Sequence, residues 1–253
     1  MSETTVGAAL EVDDLSWQVG GARIVRGVSF TVAPGEMVGV IGPNGAGKTS
    51  LFNLISGINP ATGGRVLLDG RDVTTDSVAS RARAGLGRTF QTSSLFPRLS
   101  VRENVRLAAQ QRLGGSLSIL KFPRRSDDAT TLADEMLDIV RLGSRRTAAG
   151  DLSHGDKRKL EIAVLLAQDP SVILLDEPMA GVAHADVPGL TEVIRDLNST
   201  GKTVMIVEHH LEVVLGLVSR VAVMHHGELL AMDDPATIMA NPTVQSAYLG
   251  DIA

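Results

Sequence analysis

The 253-residue chain has no cysteine and few aromatic residues. Without cysteine it can form no disulfide and has no thiol for catalysis or metal binding, which is compatible with a reducing compartment. Phe, Trp and Tyr together make up 3 % of the residues, so the core must be built from aliphatic side chains. This composition suits buried parallel strands and helices better than an aromatic-rich β-sandwich.

Long apolar runs and an excess of basic residues are also missing. No run approaches the roughly 20 apolar residues that cross a bilayer, and residues 1–14 lack the basic and apolar regions of a signal peptide. A formal net charge of −5 argues against general nucleic-acid binding, which requires a basic face. We therefore expect a protein that is soluble when isolated, does not bind nucleic acid and reaches a membrane only by docking on a partner.

What the chain does contain is an alternation of short apolar runs and amphipathic helical patterns, in residues 10–90 and 152–253. From about 91 to 151 the strand signal disappears, and helical patterns follow instead, the last of them ending at Gly143. These patterns predict a single α/β domain over 1–253, with a doubly wound, mainly parallel sheet and an inserted helical subdomain.

Residues 42–49, GPNGAGKT, lie between the apolar run MVGVIG and the helical pattern SLFNLISG. They fit G-x-x-x-x-G-K-[ST] in the strand, loop and helix context that this motif requires, which disfavours an accidental glycine turn. Lys48 would supply positive charge to the β- and γ-phosphates, and the Thr49 hydroxyl could bind Mg²⁺. We expect the phosphates to be held by Gly42, Pro43, Asn44, Gly45, Ala46, Gly47, Lys48, Thr49 and Ser50.

A second motif, SVILLDEP at residues 171–178, places two carboxylates at the end of an apolar run. A buried parallel strand would deliver Asp176 and Glu177 to its C-terminal end, the edge where such sheets bind ligands. There Asp176 can hold Mg²⁺ through water, and Glu177 can orient or deprotonate an attacking water. Alone, the pair could be a polar turn before proline, but its combination with residues 42–49 favours nucleotide hydrolysis.

The third motif, DLSHGDKRKLEIA at residues 151–163, predicts the start of a helix. Ser153 is suited to cap that helix, Asp156 takes the third helical position, and Gly155 exposes backbone N–H groups, so the helix N-terminus can bind an anion. An ordinary capping box is the alternative. Because the motif lies between a phosphate loop and an acidic strand end, the chain resembles ABC-transporter nucleotide-binding subunits over nearly its whole length.

The resemblance implies a P-loop NTPase core of the RecA type, formed by residues 10–90 and 152–253, with a small N-terminal antiparallel β subdomain. Residues 91–151 would form the helical subdomain. It also implies ATP and Mg²⁺ as ligands. The metal would be bound by Thr49, Gln91 and Asp176.

The same resemblance implies catalytic roles for Glu177, Gln91 and His209. Gln91, in RTFQTSSLFPRLSVRENV, would contact Mg²⁺ and the attacking water and connect the ATP site to a membrane partner. His209, in MIVEHHLEVV, would contact the γ-phosphate, whereas His210 reads as a surface residue. A signature segment would bind the γ-phosphate of ATP held by a second subunit in a head-to-tail dimer. That segment comprises Leu152, Ser153, His154, Gly155 and Asp156.

Three positions depart from the family pattern. Asp156 replaces the usual glutamine and brings negative charge towards a phosphate, unless its carboxylate caps its own helix. Ala183 stands where an aspartate is usual, which questions the coupling between two ATP sites. Val19 aligns with the aromatic residue that stacks on adenine, and Trp17 on the same strand face either substitutes for it or packs in the core.

Four segments resemble the ATPases of importers for branched-chain and other hydrophobic amino acids. They are the Gln91 segment, a surface excursion at 110–126, LEIAVLLAQDP and the ending VQSAYLG. LSHGDK and DEPMAGV are also similar to urea-importer ATPases. The implied partners are integral-membrane permease subunits, a second identical or sister ATPase and, indirectly, an extracytoplasmic substrate-binding protein. The implied location is peripheral, on the cytoplasmic face of the inner membrane.

Two other classes stay open. One is a soluble ABC ATPase of DNA repair or translation, although the coiled-coil insertion and the tandem cassettes of those classes do not appear in this sequence. The other is a nucleotide-binding module with weak turnover, which the departures at Asp156 and Ala183 would suit. Glu177 and His209 favour hydrolysis.

Overall fold

The computed structural model describes residues 7–89, 95–113 and 128–249, and by their internal contacts these divide into two compact units. The described residues within 1–88, 171–177 and 201–253 form the first unit, and those within 89–170 and 178–200 form the second. None of the helices in the described ranges combines the length and the apolar character that a bilayer crossing needs.

The first unit contains two β-sheets. Its strands are β1 (Leu10–Val19), β2 (Ala22–Val32), β3 (Met37–Ile41), β4 (Gly63–Leu68), β5 (Arg71–Asp72), β6 (Leu86–Arg88), β7 (Val172–Asp176), β8 (Thr203–Val207), β9 (Arg220–His225) and β10 (Glu228–Asp233). Within the described residues, a four-stranded sheet has the order β2-β1-β4-β5 and a six-stranded sheet the order β10-β9-β3-β8-β7-β6. The first is antiparallel, whereas the second is parallel except for β10.

The helices alternate with these strands or cluster in the second unit. They are α1 (Lys48–Ser56), α2 (Val78–Arg83), α3 (Val101–Arg112), α4 (Asp128–Ile139), α5 (His154–Leu166), α6 (Val187–Ser199), α7 (Leu211–Leu215), α8 (Pro235–Ala240) and α9 (Pro242–Leu249). Of these, α3, α4, α5 and α6 belong to the second unit.

The central strands of the six-stranded sheet are buried along their whole length. All five residues of β3, of β7 and of β8 are buried, as expected for parallel strands that have no polar face. Leu51, Leu54 and Ile55 of α1 join the same core, and Gly57 ends α1 with φ 77°, a left-handed conformation that favours glycine. The predicted α/β fold with a mainly parallel sheet and a small N-terminal antiparallel sheet is confirmed.

The second unit is helical, and its buried positions recur at helical spacing. Val101 and Val105 of α3 lie in its interior with Leu137 of α4. The predicted helix end at Gly143 is wrong: α4 ends at Ile139, and Arg141 takes a left-handed φ of 56°. The contacts group α5 and α6 with this unit, while the sequence-based domain bounds stay a prediction.

Candidate functional site

The glycine-rich loop connects two buried elements, β3 and α1. Gly42 and Gly47 have φ angles of 152° and 99°, which residues with a Cβ atom rarely adopt. A Cβ on Gly42 would lie 2.1 Å from the Met224 carbonyl oxygen on β9, and one on Gly47 would lie 3.1 Å from the Ile24 carbonyl oxygen. The loop is therefore packed backbone against backbone, and larger residues at these two positions would displace it.

Lys48 begins α1 and points its ammonium back at the loop. Its side chain is buried, and Nζ donates to the carbonyl oxygens of Gly42 at 2.7 Å and of Pro43 at 3.0 Å. Burial lowers the pKa of Lys48, while the nearby Glu177 and Asp176 raise it. The loop thus holds a cation where phosphate oxygens could replace carbonyl oxygens as acceptors. Thr49 and Ser50 follow in the first turn of α1 and are half-buried.

Asp176 ends β7 and is buried with an arginine that the sequence reasoning did not assign. The Asp176 side chain is 1 % exposed, and its Oδ2 accepts from the Arg88 guanidinium at 2.8 Å. Burial raises the pKa of Asp176, whereas Arg88 lowers it. Arg88 lies in none of the three motifs described above. The one available signal was a basic residue next to a short apolar run.

Glu177 and His209 lie 32 positions apart in sequence and meet in the first unit. The Glu177 N–H donates to the Val207 carbonyl oxygen at 2.9 Å, which places Glu177 just beyond the paired ends of β7 and β8. Its Oε1 lies 2.8 Å from His209 Nε2. Glu177 adopts φ 49°, an uncommon conformation for a residue other than glycine. Such strain clusters at functional sites.

A cavity of about 230 Å³ opens between the phosphate loop and the His209 segment. Its walls are Ile41, Gly42, Pro43, Asn44, Glu208, His209 and Leu211. Glu208 is buried, and its Oε2 accepts from the His209 N–H at 3.0 Å, which secures the backbone before α7. The structure therefore brings the predicted loop, Glu177 and His209 together.

The signature segment lies in the second unit, at the N-terminus of α5. The Ser153 Oγ accepts from the Asp156 N–H at 3.1 Å, so Ser153 is the N-cap that the sequence predicts. The Asp156 carboxylate lies 3.9 Å from Lys159 Nζ. Gly155 is packed so tightly that an added Cβ would lie 3.0 Å from the Asp186 Cβ. Leu152 is buried, and His154 is exposed.

The two candidates for adenine contact differ in burial. Val19 is 50 % exposed at the end of β1. Trp17 is half-buried, packs against the core of the first unit and pairs with Val25 across β2. Gln91 and residues 114–126 of the excursion lie outside the described residues.

Comparison with known proteins identifies the family. A model described as ABC transporter matches residues 25–180, and one described as branched-chain amino acid ATP-binding cassette transporter matches residues 228–253. The chain belongs to the ABC transporter family. It is the ATP-binding subunit of an ABC transporter, and it is an ATPase.

Several relatives match almost end to end. A probable ABC transporter ATP-binding protein of Azorhizobium caulinodans is 39 % identical over 248 residues, covering 98 % of this chain and 85 % of the relative. The high-affinity branched-chain amino acid transport ATP-binding protein LivG of Escherichia coli is 37 % identical over 251 residues, covering 96 % and 98 %. The lipopolysaccharide export system ATP-binding protein LptB of Escherichia coli is 37 % identical over 244 residues, with the same coverage.

Solved ABC cassettes share the fold. The ADP conformation of one ATP-binding cassette superposes with a TM-score of 0.84 at 29 % identity, covering 96 % of this chain and 99 % of the other. A nucleotide-free cassette gives a TM-score of 0.82 at 29 % identity, covering 95 % and 98 %. These neighbours confirm the predicted P-loop NTPase core.

Proposed function

We propose that this subunit hydrolyses ATP to energise the uptake of branched-chain or other hydrophobic amino acids. The match of residues 228–253 to the branched-chain amino acid model supports this substrate class, and so does the 37 % identity with LivG. In this proposal the amino acid never touches the subunit. Permease subunits in the membrane and an extracytoplasmic binding protein select it, and the subunit docks on the permeases at the cytoplasmic face.

The phosphate loop and the end of β7 would hold ATP with Mg²⁺. Lys48 and backbone N–H groups of residues 42 and 44–50 would bind the phosphates, while Thr49, Asp176 and Gln91 would bind the metal. All three side chains offer oxygen, the ligand type that Mg²⁺ prefers. When bound, Mg²⁺ would neutralise charge on the phosphate oxygens.

The 2.8 Å contact between Glu177 and His209 carries the catalytic assignment. Glu177 would accept a proton from a water while the water oxygen bonds to the γ-phosphorus and the bond to the bridging oxygen breaks, releasing ADP and phosphate. His209 would hold the Glu177 carboxylate in place through Nε2 and would share that N–H with an oxygen of the γ-phosphate. Gln91 would orient the same water.

The second half of each site would come from a partner ATPase. Residues 152–156 begin α5, where a helix N-terminus can receive the γ-phosphate of ATP bound by the other subunit. The exposed Ser153 and His154 are accessible for such a contact. The partner would be a second copy or a sister subunit. Asp156 would weaken this contact, because its carboxylate faces a phosphate and is only partly compensated by Lys159 at 3.9 Å.

The substrate alternatives rest on weaker support. Uptake of urea or a short amide would use the same ATPase with different permeases. The 37 % identity with LptB favours export of a lipid-linked substrate as a further candidate.

Glu177→Gln tests the hydrolytic step. We expect the variant to bind ATP with parental affinity, to accumulate as an ATP-bound dimer and to lose turnover by about 10²–10⁴-fold, the range for removal of a general base. Glu212→Gln on the exposed surface of α7 is the matched control and should keep parental turnover. Parental turnover in Glu177→Gln would remove Glu177 from the mechanism.

The substrate is tested by uptake in the source organism after deletion of the gene. Labelled leucine uptake should be lost and should return with the parent gene, but not with the Glu177→Gln gene. Loss of urea uptake with normal leucine uptake would favour the urea importer, and a defect in surface lipid with both uptakes normal would favour export. If all three are normal, the transporter carries a substrate outside these three classes.

A further inference from the structure

A buried ion pair joins the ends of two neighbouring parallel strands in the first unit. Arg88 ends β6 and Asp176 ends β7, and their side chains are 6 % and 1 % exposed. One guanidinium nitrogen of Arg88 donates to Asp176 Oδ2 at 2.8 Å. A buried ion pair costs desolvation energy that its attraction does not fully return, so it is weak evidence for stability and invites another explanation.

The same guanidinium also binds the helix that follows the phosphate loop. A second nitrogen of Arg88 donates to Ser56 Oγ at 2.6 Å, and the guanidinium carbon lies 5.8 Å from the centre of the Phe52 ring. Ser56 in turn donates to the Phe52 carbonyl oxygen at 2.7 Å. Both residues belong to α1, which begins at Lys48 and contains Thr49.

Arg88 therefore connects Asp176 to α1 by a single planar group. The guanidinium presents its donors in a fixed fork, so a bond to Ser56 and a bond to Asp176 together restrict the orientation of the carboxylate relative to α1. A lysine could pair with Asp176 but could not reproduce this fork. The two oxygens proposed for Mg²⁺, one on Asp176 and one on Thr49, lie on the two elements that Arg88 joins.

We propose that Arg88 is a positioning residue for divalent-cation binding, orienting the Asp176 carboxylate relative to the phosphate-loop helix. This inference rests on the proposed role of Asp176 as a Mg²⁺ ligand. A ligand that is already oriented loses less conformational freedom when the cation binds, so Mg²⁺ binds more tightly than it would to a mobile carboxylate. The role is positional because Arg88 itself carries a positive charge and does not bind the cation.

The test measures the binding of a fluorescent ATP analogue as a function of Mg²⁺ concentration, at a temperature well below the unfolding temperature. Arg88→Lys keeps the charge beside Asp176 and removes the fork, and Ser56→Ala removes the bond to α1 while leaving the ion pair intact. We expect the Mg²⁺ concentration for half-maximal binding to rise about tenfold in Arg88→Lys. In Ser56→Ala we expect a smaller rise, of about threefold, because the ion pair still restrains the carboxylate. Binding in EDTA should stay parental in both variants.

Two control variants are needed. One tests whether an Arg→Lys change in an ion pair is enough to alter the Mg²⁺ requirement, and the other tests whether Asp176 binds Mg²⁺. Arg65→Lys makes the same change in the exposed ion pair with Asp13 and should leave the Mg²⁺ requirement unchanged. Asp176→Asn should raise it further than Arg88→Lys does. If Asp176→Asn has no effect, the proposed metal site is wrong.

The remaining outcomes decide the role of Arg88. If Asp176→Asn raises the Mg²⁺ requirement while folded Arg88→Lys and Ser56→Ala leave it unchanged or lower it, positioning by Arg88 is refuted and the ion pair is structural. Ser56→Ala decides the question alone if Arg88→Lys does not fold, because alanine is compatible with a helix.

Discussion

Arg81 supplies hydrogen-bond donors to the C-terminal end of α1, and we expect its removal to destabilise the first unit. Its side chain is 2 % exposed. The guanidinium donates to the carbonyl oxygens of Leu54 and Ile55, both at 2.7 Å, of Thr74 at 2.6 Å and of Asp76 at 3.2 Å. Leu54 and Ile55 lie in the last turn of α1, where a helix has no internal donors left for its own carbonyls.

The structure allows an estimate of the free energy that Arg81→Ala would remove. A hydrogen bond from a charged donor contributes about 1.5–3 kcal/mol. Because the Leu54 carbonyl also accepts from the Gly57 N–H at 3.1 Å, and water can enter the space left by the side chain, we count two of the four bonds. At about 1.5 kcal/mol each, the loss is about 3 kcal/mol. For a chain of this size, that corresponds to a fall of about 6–12 °C in Tm.

Urea unfolding followed by the fluorescence of Trp17 provides the assay. Trp17 is the single tryptophan of the chain and packs against the core of the same unit as Arg81. Arg83 lies on the same short helix but is exposed, so Arg83→Ala is the matched control and should stay within about 0.5 kcal/mol of the parent. Arg81→Lys should lose about half as much as Arg81→Ala, because an ammonium keeps the charge but reaches fewer carbonyls. Equal free energies of unfolding for Arg81→Ala and Arg83→Ala would refute the capping role.

Three further predictions concern the ATP site. Lys48→Ala should abolish binding of a fluorescent ATP analogue, because the loop loses its buried cation, and parental affinity would contradict the assignment. Burial raises the folded-state pKa of Asp176 above its ordinary value of 3.8, so the stability of the parent relative to Asp176→Asn should be fully present below about pH 3.8 and fall as the pH rises through the folded-state pKa. Arg88 stays charged throughout, and its attraction to the ionised carboxylate opposes this fall, but burial has the larger effect. A difference in unfolding free energy that is flat or rises with pH would count against this sign. Because Trp17 packs against the core, Trp17→Ala should lower Tm and leave ATP affinity within about twofold. Val19→Phe should tighten ATP binding about fivefold by stacking on the adenine. A large loss of ATP affinity in Trp17→Ala would instead place Trp17 on the adenine.

The elements around the phosphate loop could be predicted closely from sequence, since each is defined by local pattern. The apolar run at 37–42 corresponds to β3, and the helical pattern after it to α1, with Gly57 as the predicted cap. The Ser153 cap of α5 follows the same logic, because a serine before a helix satisfies a backbone donor within three residues.

The sequence patterns did not predict β6, the end of α4 or α8, and the reason differs for each. β6 has three residues, which is too short for any periodicity to register, and it exists because it pairs with β7. α4 was predicted to continue to Gly143, because nothing in the local pattern indicates that Arg141 leaves the helical conformation. By contrast, α8 had a readable signal, since Asp234 followed by Pro235 is a typical helix start, and the Asp234 carboxylate does accept from two backbone N–H groups.

The glycine-rich loop at 42–49, the acidic end of β7 and the capped start of α5 could be predicted from sequence alone, because each depends on residues within a few positions of one another. Tertiary structure alone decided that Glu177 meets His209 and that Arg88 is buried between Asp176 and Ser56. The pair that includes Asp176 joins positions 88 residues apart, and the pair that includes Glu177 joins positions 32 residues apart. Strand order in the parallel sheet brings these segments together. For Arg88 and Asp176, burial also makes each charge require a partner, which no local pattern specifies.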